Sequence, residues 1–77
     1  MSKHILIIED EPDLVATLEF NLRQEGFIPR SAKTGRAGLE LAVKTPIPDL
    51  VLLDLMLPDI SGTEVCRQLR SNPMTRD

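Results

Sequence analysis

The sequence predicts an α/β domain built on a small parallel sheet with helices on its faces. Two apolar runs, Ile5-Leu6-Ile7-Ile8 and Leu50-Val51-Leu52-Leu53, are too short for helices and too continuous for half-exposed strands. Helix-period segments lie between and after them, and Pro and Gly stand at the seams. The resulting order, β-α-β-α-β-α, is the alternation that favours parallel pairing.

Taken in order, Ile5 to Ile8 form the first strand, which ends abruptly in acids. From Pro12 the period changes: Leu14, Val15, Leu18 and Leu22 recur at helical spacing, Pro12 suits the first helical position, acids fill the first turn, and Gly26 stops the helix. Phe27 to Ala32 read as a weaker second strand; Pro29 removes a ladder donor and so confines it to a sheet edge. Thr34 caps a second helix with Ala37, Leu41 and the Lys44 stem facing inward, ended by Pro46 and Pro48. Leu50 to Leu53 form a third strand, the most central by composition. After the loop Leu57-Pro58-Asp59-Ile60, Ser61-Gly62-Thr63-Glu64 matches a capping box in which Ser61 caps and Glu64 reaches back. The helix that follows turns Val65 and Leu69 inward with Cys66 nearby, and Ser71-Asn72-Pro73 closes it. An edge position for the second strand places the first between its neighbours, in spatial order 2-1-3. The chain then reverses its winding between strands one and three, and ligands of open α/β sheets bind outside the carboxyl ends of the strands at such a switch point.

Composition narrows the function. With 77 residues there is room for one small domain, and chains of this size bury only about 60% of their unfolded surface, so regular packing or a partner is needed. Cys66 is the only cysteine and His4 the only histidine, which excludes an internal disulfide and a structural zinc site. His4 reads as a surface residue ahead of the first strand, and Cys66 as a small packing residue. No membrane-spanning run or secretory leader is visible, so cytoplasm is the expected compartment. Aromatic residues make up 3% of the chain and the basic residues are scattered, so this segment is expected to contact neither nucleic acid nor membrane. Four of the twelve acids lie between Glu9 and Asp13, so the acidity is local and points to a site.

The first strand ends at Glu9-Asp10 and the third at Asp54, so parallel neighbours bring three carboxylates to one edge. Two unit charges ~5 Å apart repel by about 3 kcal/mol at an effective dielectric of about 20. A bound cation, a basic side chain or shared protons must offset this. A hard divalent ion suits oxygen ligands best, and magnesium, which takes one or two carboxylates together with phosphate oxygens, suggests phosphate chemistry. Asp54, following four apolar residues, is the candidate nucleophile for an aspartyl phosphate. Glu11 and Asp13 read instead as charges favouring the first helix's dipole.

The segments Ile5-Leu6-Ile7-Ile8-Glu9-Asp10-Glu11-Pro12 and Pro48-Asp49-Leu50-Val51-Leu52-Leu53-Asp54-Leu55-Met56-Leu57-Pro58-Asp59-Ile60-Ser61-Gly62 resemble the receiver domain of two-component response regulators, above all those attached to winged-helix DNA-binding domains. The resemblance covers the whole chain. It implies a flavodoxin-like (CheY-like) α/β fold, and a phosphoacceptor rather than an enzyme. Asp54 would accept phosphate from the phosphohistidine of a sensor histidine kinase. Asp10 would bind Mg2+ directly, Glu9 largely through water, and Asp54 and the backbone carbonyl of Met56 would complete the protein ligands. Receivers of this family continue to a fourth and fifth strand and two more helices. Residues 1–77 are therefore expected to be a partial receiver, truncated to β-α-β-α-β-α. The family's switch hydroxyl and lysine fall beyond Asp77, so impaired phosphorylation is expected. The third strand is then left as an apolar edge, and a homodimer through it is expected.

Two further functions compete. A phosphohydrolase resembling haloacid dehalogenases would need a second acid two residues after the nucleophile, where this chain has Met56. A self-associating fragment or interaction module without phosphotransfer is the alternative reading. Dinucleotide binding is excluded because no Gly-x-Gly-x-x-Gly follows the first strand.

Overall fold

A computed structural model describes residues 2–54 and 56–75. Leu55, inside the second motif, lies outside the described residues. The elements are β1 (His4–Ile8), α1 (Pro12–Gln24), β2 (Ile28–Ala32), α2 (Gly35–Ala42), β3 (Leu50–Leu53) and α3 (Gly62–Ser71). All three strands are parallel, in the order β2-β1-β3, as the alternation and Pro29 require.

β1 is the centre of the molecule. Its Ile5, Leu6, Ile7 and Ile8 are all buried, because it has a strand on either side and helices above and below. Leu6 and Ile8 form the core with Ala42 of α2 and Val65 of α3, and Leu39, Val51, Leu53, Ile60 and Leu69 pack around them. Burying a side chain of this size contributes roughly 1.5–3 kcal/mol. α2 lies directly on β1: a Cβ built at Gly38 would stand 2.4 Å from Ile8 Cδ1, so only glycine allows this approach. On the opposite face, where Ile7 is also fully buried, α1 is the more exposed helix. No residue of α1 is fully buried; Val15, Leu18 and Leu22 are half-buried and Leu14 is exposed, so the helix presents a narrower apolar stripe than its spacing suggested. Gly26, at φ 87°, turns the chain after α1 in a conformation that other residues adopt at a cost.

Five details depart from the sequence reading. β3 is half-buried and pairs only with β1 among the described residues, so the most central strand is β1; an apolar run alone does not reveal how many neighbours a strand has. β2 begins at Ile28, one residue after Phe27. α2 ends at Ala42, which leaves Lys44 beyond the helix and exposed instead of packing its stem inward. His4 is the first residue of β1 and is half-buried, because its amide is held by Asp49 Oδ2 at 2.7 Å and its carbonyl by the Asp49 amide at 2.7 Å. Ser61 caps α3 by accepting from the Glu64 amide at 3.1 Å, but the Glu64 carboxylate turns forward to Arg67 and Gln68, so the reciprocal half of the capping box is not made. No helix among the described residues is long and apolar enough to cross a membrane.

Candidate functional site

The register of the sheet builds the acidic pocket. Ile8 is paired with Leu53 across β1 and β3, and the next amide, that of Asp54, still donates to the Ile8 carbonyl at 3.0 Å. On the other side the Glu9 amide donates to the Ala32 carbonyl of β2 at 3.0 Å. Glu9 and Asp54 are therefore adjacent in the ladder at the carboxyl ends of their strands, where parallel neighbours stand about 4.8 Å apart. The turn into α1 supplies the third acid. Glu11 caps that helix, its Oε1 accepting from the Asp13 amide at 3.1 Å, and Pro12 occupies the first turn. This tight entry swings Asp10 towards the end of β3. Carboxylate oxygens of Glu9, Asp10 and Asp54 lie within 4.8 Å of one another. Glu9 and Asp54 are half-buried and Asp10 is exposed.

Two of these carboxylates are already oriented by backbone amides. Glu9 Oε2 accepts from the Glu11 amide at 3.0 Å, and Asp54 Oδ1 accepts from the Met56 amide at 3.1 Å. Each hydrogen bond leaves the second oxygen of its carboxylate available. Met56 itself stands at the rim, 84% exposed. A hollow of about 120 Å³ lined by Ile7, Leu18, Leu52 and Leu53 lies against Glu9 and Asp54, so the acids have apolar surface on one side and water on the other.

The donor set is all oxygen, which suits Mg2+ or Ca2+ and not a thiophilic metal. Two ligands of one Mg2+, each at about 2.1 Å, can be no more than about 4.2 Å apart. A group spread over as much as 4.8 Å closes on one ion when one link runs through water or one side chain turns slightly. The residues present therefore fit a hard divalent ion.

Asp59, an ordinary loop residue by its sequence context, has a definite task in the structure. Its Oδ1 accepts from the Gly35 amide at 2.8 Å and its Oδ2 from the Arg36 amide at 2.9 Å, so one carboxylate holds two amides of the first turn of α2. Desolvation alone would raise its pKa; the amides of Arg36, Gly35 and Ile60 outweigh that and hold it below the ordinary carboxylate value. Arg36 adds a loose ion pair at 3.9 Å, which exposure makes weak. The only signal in the sequence was an acid after Pro58, whose partners lie more than twenty residues away.

An open α/β sheet with a carboxylate cluster at its switch point defines a class of domain whose ligands sit outside the carboxyl ends of the strands. The chain matches the family model of the response regulator receiver domain over residues 5–76, and it belongs to that family. It is 42% identical over 74 residues to the alkaline phosphatase synthesis transcriptional regulatory protein PhoP of Bacillus subtilis, a match covering 96% of this chain and 30% of PhoP. Among solved structures, the N-terminal domain of a response regulator receiver protein from Methanoculleus marisnigri superposes with a TM-score of 0.90 at 37% identity, covering 97% of this chain and 60% of that one. Response regulator TrrA from Thermotoga maritima, in complex with Mg2+-BeF, superposes with a TM-score of 0.80 at 35% identity, covering 90% and 59%. The chain thus spans about a third of the length of PhoP and about three fifths of the solved chains.

Proposed function

We propose that this receiver is a phosphoacceptor and not an enzyme: Asp54 takes a phosphoryl group from the phosphohistidine of a sensor histidine kinase, with Mg2+ held by Glu9, Asp10, Asp54 and the backbone carbonyl of Met56. The observation that carries the reading is the convergence of three carboxylates on one point beside a strand-end aspartate. The likeness to TrrA, whose complex contains Mg2+-BeF, supports it. Mg2+, when bound, supplies the positive charge that offsets the carboxylates and the charge on the transferring group. The chain's own residues do the positioning. The Met56 amide fixes Oδ1 of Asp54, which leaves Oδ2 to attack phosphorus. The P–N bond to the imidazole breaks, the electron pair leaves with that nitrogen, and the nitrogen takes up a proton. Glu9, held by the Glu11 amide at Oε2, keeps its other oxygen for a link through water. By likeness to PhoP, a transcriptional regulatory protein, the output is regulation of transcription.

Radiolabelled phosphate transfer from a purified sensor kinase tests the reading. Label should appear on the chain with Mg2+, disappear with chelator, and fail to appear on Asp54→Asn. Undiminished label on that variant refutes Asp54 as acceptor, and a low final stoichiometry would fit the weakened phosphorylation expected from the sequence.

A specific feature favours a second reading, a self-associating module without phosphotransfer. β3 has one unpaired edge among the described residues, Leu50 is 53% exposed, and a groove of about 360 Å³ lined by Val51, Leu53, Cys66 and Leu69 runs beside it. A second copy adding along β3 would cover that apolar edge. Sedimentation equilibrium separates the readings: a dimer that takes no label supports the module, and a monomer that takes label rules it out.

A further inference from the structure

The loop between β3 and α3 carries Met56, and its far end is fastened to α2 at two points. The Asp59 carboxylate accepts from the amides of Gly35 and Arg36, at 2.8 and 2.9 Å. The next residue, Ile60, packs against Gly35 so closely that a Cβ built there would stand 2.5 Å from Ile60 Cγ1 and 2.8 Å from Val65 Cγ2. The near end is fastened at Asp54, whose amide remains in the ladder and whose carboxylate holds the Met56 amide. A short loop pinned at both ends has few conformations open to it, whereas one released at the far end pays more conformational entropy for each ordered contact.

We propose that Asp59 is a positioning residue of the acidic site: by clamping the loop to the N-terminus of α2 it sets where the Met56 carbonyl and amide stand relative to Asp54. The proposal rests on the reading of Met56 as a ligand of Mg2+ at that site. Asp59 itself touches neither the metal nor the transferring group; it acts through the backbone of Leu57 and Pro58. Charge is secondary, since the contact with Arg36 is exposed and loose. The geometry of two parallel amides taken by one carboxylate is the working part. Gly35 belongs to the same device from the other side, because it is the absence of a side chain there that lets Ile60 and Asp59 reach the helix.

The test compares Asp59→Ala and Gly35→Ala with Thr34→Ala in the full chain. Thr34 Oγ1 accepts from the Ala37 amide at 3.0 Å, so its removal weakens the same helix end without touching the loop. Amide hydrogen exchange and Mg2+ titration are followed by NMR. The expected result is faster exchange of the Met56 amide and a Kd for Mg2+ raised roughly tenfold in the first two variants, the size typical of losing an outer support of a metal site. Thr34→Ala should do neither at a comparable loss of thermal stability. Unchanged Met56 exchange in Asp59→Ala, or equal changes in all three variants, overturns the proposal. Should the unaltered chain bind no Mg2+, the metal reading fails, while the exchange of Met56 still decides whether Asp59 holds the loop.

Discussion

Replacing Gly38 by alanine should destabilise the domain, although alanine is the better helix former. The added methyl would stand 2.4 Å from Ile8 Cδ1, 2.6 Å from Cγ1 and 3.0 Å from Cγ2. Cγ1 and Cγ2 are both bonded to the Ile8 Cβ, so no rotamer removes both, and Ile8 is fully buried with nowhere to retreat. Overpacking of this kind costs about 1–3 kcal/mol, and the helix propensity gained returns about 1 kcal/mol. Two contacts under 3.0 Å place the strain in the upper part of that range, so the net loss is about 1–2 kcal/mol. For a domain of this size that lowers Tm by roughly 5–15 °C. The chain contains no Trp or Tyr, so unfolding is best followed by far-ultraviolet circular dichroism. A double-mutant cycle sharpens the test. Ile8→Ala alone should cost about 2–5 kcal/mol, and the pair should cost less than the sum by more than about 0.5 kcal/mol, because the new methyl fills space that the isoleucine vacates. A raised Tm for Gly38→Ala, or strict additivity with Ile8→Ala, would refute the close packing of α2 on β1.

Leu6→Ala removes a fully buried side chain from the core and should cost about 2–5 kcal/mol by urea unfolding, whereas Phe20→Ala, at a site 61% exposed, should cost under about 1 kcal/mol. Ser61→Ala loses the hydrogen bond to the Glu64 amide and should cost about 1 kcal/mol; unchanged stability would show that the cap is idle. Glu64 has its pKa held at about 2, against an ordinary 4.5, chiefly by the Arg67 side chain and then by Gln68. A depressed carboxylate adds stability that is present above about 4.5 and lost as pH falls through about 2, so Glu64→Gln should flatten the stability profile in that window. Exposure keeps the effect small, and salt should shrink it further.

Most of the fold was legible because the relevant rules are local. Pro29 declared β2 an edge, Pro12 and Gly26 bounded α1, and the edge position of β2 placed β1 between its neighbours. Convergence of Glu9, Asp10 and Asp54 followed from that order alone, since strand ends in a parallel sheet share an edge. What escaped depended on partners far along the chain. Leu50 to Leu53 look as apolar as Ile5 to Ile8, yet the number of neighbouring strands sets burial, and β1 has two where β3 has one among the described residues. Glu64 fits a capping box in spacing, but Arg67 and Gln68, one turn on, compete for its carboxylate and win, Arg67 through its charge and Gln68 through its side-chain amide. Asp59 gave no hint of its grip on Gly35 and Arg36, because nothing near it in the sequence distinguishes a clamp from a solvated loop acid.

The pairing of Ile8 with Leu53 ties the chemistry of this domain to its folding. A shift of one position along β3 would move Asp54 out of step with Glu9 and at the same time turn Leu53 away from the core. Errors in the pocket and errors in the interior therefore arrive together, and a chain whose acids are misplaced is also one that unfolds. Selection for a working acceptor and selection for a durable sheet act on the same few hydrogen bonds, so variation is best tolerated on the outer faces of the helices.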